Sequence, residues 1–290
     1  MHKFHGTIFV IVSAILYGLM PIWVKLAYST GLTSFEVIFL RSGISSVIFG
    51  LLICLKGKKF NVGKKQIKPL LVSTVLGYTA TTVTLYSSYE YISSGVATSL
   101  LYLYPVLVML VAFFIFKEKF AFSNWFALVA ACAGIYLIAN PGWSGFSFIG
   151  TVLAVSSAVF CTIYVLSLNH PKLRGMDSLV LAFYSCLVES ISSFIVIVVR
   201  GQWPIILTQK GFAYIVLISF FCTVMALIFF INGTQSIGSS NASIVCTLEP
   251  AVSLMGGIVI LNETFTWPIM MGCALIIVAV ILIGWSNLKT

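Results

Sequence analysis

Apolar runs of about 20 residues, the length an α-helix needs to cross the hydrocarbon core of a bilayer, succeed one another from end to end of this chain. They lie near residues 5–27, 35–55, 69–89, 94–116, 122–140, 147–168, 178–199, 211–232, 239–261 and 267–286. With 60% hydrophobic and 8% charged residues, against about 25% charged in an ordinary soluble domain, the folded surface must face something as apolar as its interior. Lipid is such a solvent, and it offers the backbone no hydrogen-bond partner, so each run is expected as a helix. The expected fold is all-α and integral to the membrane, with ten transmembrane helices. The first run begins just after Met1-His2-Lys3, outlasts a signal-peptide core and has no evident small-residue cleavage site, so it is expected to stay as the first helix.

Turn chemistry fills the separators, among them Ser29-Thr30-Gly31, Lys56-Gly57-Lys58, Asn140-Pro141-Gly142 and Gly201-Gln202-Trp203-Pro204. Separators this short force neighbouring helices antiparallel and leave no room for a soluble domain. The net charge of +9 would suit nucleic acid, but six of the 16 basic residues, Lys56, Lys58, Lys59, Lys64, Lys65 and Lys68, share one loop between two apolar runs. Positive charge there reports membrane orientation, with lipid head groups as a secondary attraction, so no nucleic-acid partner is expected. An amino terminus in the cytoplasm puts those six with Lys3, Lys117, Lys119, Lys172, Arg174 and Lys289 on the inner side, and only Lys25, Arg200 and Lys210 on the outer one. That asymmetry predicts a multi-pass protein of the cell membrane with both termini cytoplasmic.

The second half of the chain restates the first. An offset of 145, as from Ile92 to Ile237, aligns Ile92, Ser94, Ala97, Leu103, Pro105, Ile115, Glu118 and Phe120 with Ile237, Ser239, Ala242, Leu248, Pro250, Ile260, Glu263 and Phe265. One residue less aligns Gly6-Thr7 and Ser13-Ala14 with Gly150-Thr151 and Ser157-Ala158. The reading is two units, 1–142 and 143–290, of five helices each. An odd number of crossings makes the second unit enter from the opposite face, so the halves are inverted, an arrangement that lets one packing open to either side.

Two segments carry a resemblance to a known family: Tyr104-Pro105 to Phe116-Lys117-Glu118-Lys119-Phe120, and Glu249-Pro250 to Leu261-Asn262-Glu263-Thr264-Phe265, each followed by a final helix rich in small residues. They resemble the repeat ends of the drug/metabolite transporter superfamily, in its EamA-type ten-helix members. The chain departs from that pattern in having Lys117 and Asn262 where glycine usually precedes the glutamate. The resemblance implies a central cavity bounded largely by helices 1–4 and 6–9, with helices 5 and 10 more peripheral and at a dimer contact. The family includes exporters of amino acids and other metabolites, and fold alone does not carry substrate. The expectation is a secondary transporter exporting amino acids or similar small metabolites by alternating access, driven by the solute gradient or coupled to protons. No Walker A loop, Gly-rich dinucleotide fingerprint or His-Cys-carboxylate constellation is present, and His2, His5 and His170 lie at or outside the run ends. No cofactor, metal or enzymatic activity is expected; a lipid-modifying intramembrane enzyme and a non-transporting scaffold or sensor are the alternatives. The seven cysteines, scattered without a CxxC pair, read as small buried hydrophobes.

An ionisable group at the bilayer centre costs about 2.5–3.5 kcal/mol on insertion scales, so the few inside the runs are candidates for solute contact. Glu249 leads, because Pro250 beside it lacks the amide hydrogen that would hold the helix straight. Tyr104 before Pro105 is its counterpart, and Pro21, Pro105 and Pro250 are candidate hinges. Arg41 either attracts a substrate carboxylate or neutralises Glu189 or Glu249, and Glu189 has the same two readings. Tyr17, Tyr78 and Tyr102, with Tyr86, Tyr164 and Tyr184, offer aromatic walls that end in a hydroxyl. The recurrent Glu118 and Glu263 sit beside tight turns, where a carboxylate accepts amide hydrogens from the start of the following helix; a structural role is expected. Lys25 is expected to snorkel to the interface, and Gly256-Gly257 and Ala127, Ala130, Ala131 and Gly134 to mark close helix contacts.

Overall fold

The computed structural model describes residues 2–116, 122–138, 147–168, 172–173, 176–237, 245–264 and 266–289. Among them every regular element is a helix. Glu118, with Lys117, Lys119, His170 and Arg174, lies outside the described residues.

Helices α1 (His2–Tyr28) and α2 (Ser34–Leu55) are joined by a reversal at Gly31, whose φ of 95° a side chain would strain. Thr33 and Glu36 then close a capping box on the first turn of α2. Helix α3 (Lys64–Leu71) passes through a π-helical stretch, Val72–Thr79, into α4 (Ala80–Ser88). It starts ahead of the apolar run because its first turns are faced with lysines that can lie at the membrane interface. An interruption at Tyr102 and Leu103 separates α5 (Ser94–Leu101) from α6 (Tyr104–Phe116), and α7 (Phe122–Ile138) follows. The second half holds α8 (Phe148–Leu168), α9 (Ser178–Val199) and α10 (Gln209–Ser219). A second π-helical stretch, Phe220–Met225, leads into α11 (Ala226–Ile237), and α12 (Leu248–Leu261) and α13 (Trp267–Lys289) end the chain. Among the described residues, six segments are long and apolar enough to cross a membrane: His5–Tyr28, Ser34–Leu55, Ser94–Val111, Phe148–Leu168, Ser178–Val199 and Gln209–Gly233. Shorter apolar helices lie at Trp125–Ile138, Leu248–Leu261 and Trp267–Leu282.

Packing runs between the halves. Helix α2 lies along α9, α7 along α13, α1 against α11 and α12, and α8 against α4, α5 and the first π-helical stretch. The α7–α13 seam is backbone on backbone: a Cβ at Gly134 would come 2.7 Å from the Gly272 carbonyl oxygen, and one at Gly272 would come 2.8 Å from that of Gly134. At the α1–α12 seam, Ile22 fills the space above Gly256. Without a hydrophobic force between helices in lipid, such close approach supplies the association energy.

The two ends of the bundle are tied by polar contacts. At one, Lys58 pairs with Asp177, and Tyr184 Oη donates to the Phe60 carbonyl at 2.8 Å. At the other, Glu263, just past the end of α12, accepts from Lys25 at the end of α1 and from Ser94 at the start of α5.

Candidate functional site

Pro105 and Pro250 each sit in the first turn of a helical segment, where no amide hydrogen is needed. The breaks they follow, at Tyr102-Leu103 and at Thr247, fall on repeat-equivalent positions, at the same offset of 145 that aligns Pro105 with Pro250. Pro250 cannot donate to the carbonyl four residues back, which is that of Cys246. Tyr102 Oη, from the other broken helix, donates to this carbonyl at 2.8 Å. Glu249 is half-buried beside the break, with the Tyr102 hydroxyl and the Cys246 thiol close to its carboxyl. Tyr17, Tyr104 and Cys161 stand within electrostatic reach of it, and the Tyr102 and Tyr104 rings are 5.9 Å apart. Helix α1 continues through Pro21, and the carbonyl that this proline leaves without its helical donor belongs to Tyr17. Close approach of α1 brings Tyr17 here: a Cβ at Gly18 would lie 2.8 Å from the Glu249 carbonyl oxygen.

A second cluster forms where α2 lies along α9. Arg41 Nη2 and Glu189 Oε2 are 2.5 Å apart, with side chains 3% and 0% exposed. Arg41 Nη1 faces Thr223 Oγ1 at 3.5 Å, and the guanidinium stands 5.4 Å above the Tyr86 ring. Thr223 belongs to the second π-helical stretch, and Tyr78, in the first, stacks obliquely on Tyr164 with centroids 5.5 Å apart. Tyr78 and Tyr164 lie within electrostatic reach of Glu189, and Tyr164 also reaches Tyr17. Glu249, the tyrosines and the Arg41–Glu189 pair thus form one polar track through the bundle. Of the two carboxylates open to it in the sequence, Arg41 takes Glu189 and not Glu249.

Glu263 accepts from Lys25 Nζ at 2.7 Å, from the Ser94 amide at 3.0 Å and from Ser94 Oγ at 2.9 Å, while Lys25 Nζ also donates to the Ile92 carbonyl at 2.9 Å. The helix start it meets is that of α5, in the other half of the chain, and not that of the following α13. Asn262 is the cause: its left-handed φ of 53° reverses the chain, and the Glu263 amide returns to the Gly257 carbonyl at 3.0 Å. A Cβ at Gly257 would stand 2.3 Å from Glu263 Oε2 and 3.0 Å from Ser94 Oγ, so a larger residue there would push the carboxylate off its partners. Lys25 is anchored on this carboxylate rather than snorkelling. Sequence reasoning missed Thr223, Cys161 and Cys246 as polar neighbours of the track; the only signal for Cys246 was its place four residues before Pro250.

Broken helices that meet inside a membrane bundle beside ionisable and hydroxyl side chains are an arrangement that membrane transporters use. Residues 4–140 and again 148–285 match the EamA-like transporter family. The chain belongs to that family and is a multi-pass membrane transporter. An uncharacterized transporter of Archaeoglobus fulgidus is 24% identical, covering 87% of this chain and 89% of its own. One of Clostridium kluyveri is also 24% identical, over 98% and 94%. Human solute carrier family 35 member G1 is 25% identical over 90% of this chain and 74% of its own. A solved crystal structure superposes with a TM-score of 0.70, covering 98% of this chain and 99% of its own; at 15% identity this likeness shows the fold alone.

Proposed function

We propose that the protein is a secondary transporter that exports amino acids or similar small metabolites across the cell membrane by alternating access. The observation that carries this reading is the polar track between helices broken at repeat-equivalent positions. Glu249 with Tyr17, Tyr102 and Tyr104 offers an ammonium group a counter-charge and aromatic faces, and Arg41 and Glu189 stand further along to receive or exchange with a second charge. Glu249 and Glu189 are also the groups that can carry a proton against the solute. In this reading the chain makes ten crossings as two inverted five-helix units, 1–142 and 143–290, with both termini cytoplasmic. Reciprocal packing supports it, since α1 meets α11 and α12 as α8 meets α4 and α5. A homodimer through the last helix of each unit would use the outer faces of α7 and α13, where Val129, Tyr136 and Val278 are exposed.

Proteoliposomes loaded with a panel of amino acids and related metabolites test the reading. Counterflow of at least one amine-bearing solute is expected, slowed when an imposed pH gradient is collapsed. Absence of flux for every solute class overturns it. Glu249→Gln is expected to lower transport while the protein still folds, and an unchanged pH dependence in that variant removes Glu249 from the mechanism.

A further inference from the structure

We propose that the crevice between α3 and the carboxyl-terminal end of α8 binds an anionic phospholipid, its phosphate held by lysines and one acyl chain laid along the groove below. The cavity, of about 290 Å³, is lined by Lys65, Lys68, Lys172, Ser167, Pro69 and Val72. All three lysines are exposed, and among the described residues that line the cavity none is acidic. Three positive charges around one concavity, with a hydroxyl at its wall, fit a phosphate-centred headgroup. Lysine supplies that charge as a point donor at the end of a long apolar stem, which suits a site at the water–lipid boundary.

The elements that line the cavity also carry exposed apolar side chains, which would form the trough. Leu71, Val72, Val75 and Leu76 are 48%, 39%, 40% and 52% exposed, and Val159 and Ile163 on α8 are 45% and 37% exposed. Helix α8 packs on the π-helical stretch that holds Val72, Val75 and Leu76, so apolar surface adjoins the basic pocket on both elements. This combination selects among ligands. Free phosphate satisfies the lysines and leaves the trough unused, and a zwitterionic lipid brings its own ammonium into a basic pocket. An anionic phospholipid uses both parts. None of the lining residues belongs to the Glu249–Arg41 track, so the site stands independently of the solute.

The test uses the purified full chain. Phosphatidylglycerol, phosphatidylcholine and inorganic phosphate are compared by native mass spectrometry of retained lipid and by thermal unfolding. Wild type is expected to retain phosphatidylglycerol and unfold at higher temperature with it, and to respond to neither of the other two. Lys65→Ala/Lys68→Ala/Lys172→Ala is expected to lose affinity on the order of 100-fold, the weight of three interfacial lysines. Lys56→Ala/Lys59→Ala/Lys64→Ala, which removes equal charge from the same end, is expected to stay within a few-fold of wild type. Equal loss in both variants reduces the effect to diffuse attraction and overturns the site. An equal thermal shift with inorganic phosphate assigns the pocket to a free anion and overturns the lipid. Should the first triple variant not purify, Lys65→Gln/Lys68→Gln carries the same comparison, with the loss reduced to that of two lysines.

Discussion

Arg41 and Glu189 show what lipid demands of a charged residue. Either alone, at 3% or 0% exposure, would be an uncompensated charge in a medium that cannot solvate it. Removing one partner of a buried pair costs about 3–5 kcal/mol, whereas replacing both with apolar residues of similar volume is often nearly neutral. Glu189→Ala is therefore expected to lower thermal stability in detergent strongly, and Arg41→Met/Glu189→Leu to recover most of that loss. If the double variant is as unstable as the single one, the pair is not what holds α2 to α9. Asp177 answers to water instead. It accepts from the Leu179 amide at 2.9 Å and pairs with Lys58. Partial burial opposes ionisation there, but the Lys58 ammonium and the α9 amides outweigh it, so its carboxyl lies below the usual carboxylate range. A depressed folded pKa means the stabilisation is complete above the unfolded value of about 3.9 and is lost as pH falls through the lower folded value. Asp177→Asn is expected to flatten the acid edge of the stability profile by lowering stability at neutral pH toward its acid value; an acid edge unchanged in Asp177→Asn denies Asp177 that role.

Helices in this protein are defined as much by their interruptions as by their runs. Pro105 and Pro250 made the breaks in α5–α6 and before α12 legible, because a missing amide hydrogen is a local fact. The two π-helical stretches had no such marker: Val72–Thr79 and Phe220–Met225 contain no proline, and their widened turns arise where α8, α9 and α1 press against them. They nonetheless place Tyr78 and Thr223 on the polar track, so part of the site was hidden where local sequence and local structure part company. Small residues were legible as contact points, but not which helix would fill them. The Gly134–Gly272 seam gives a test at this scale. Gly134→Val adds volume where the opposing carbonyl is 2.7 Å from the first added atom, and is expected to cost about 1–3 kcal/mol, measured by unfolding in detergent. A neutral substitution means that α7 and α13 do not meet there.

Over the whole molecule, the repeat makes one statement about sidedness that any topology must satisfy. If two five-helix units face opposite ways, cysteines placed at Lys64 and at Ser144 are expected to react with a membrane-impermeant reagent from opposite sides of the bilayer. Labelling of both from one side would remove the inverted architecture and the alternating exposure built on it. Hydropathy alone marked the solvent and the apolar helical runs, because in a bilayer burial is sorted by length and polarity along the chain, and both can be read in order. It also marked Glu249, Arg41 and Glu189 as residues that need a reason to exist. Which of them would meet was decided only by the tertiary structure. Arg41 finds Glu189 across 148 residues, and Glu263 finds Ser94 across 169. Such pairings depend on how each helix is turned about its axis and where its backbone comes closest to another, and glycines, π-helical turns and opposing side chains set those through contacts between halves.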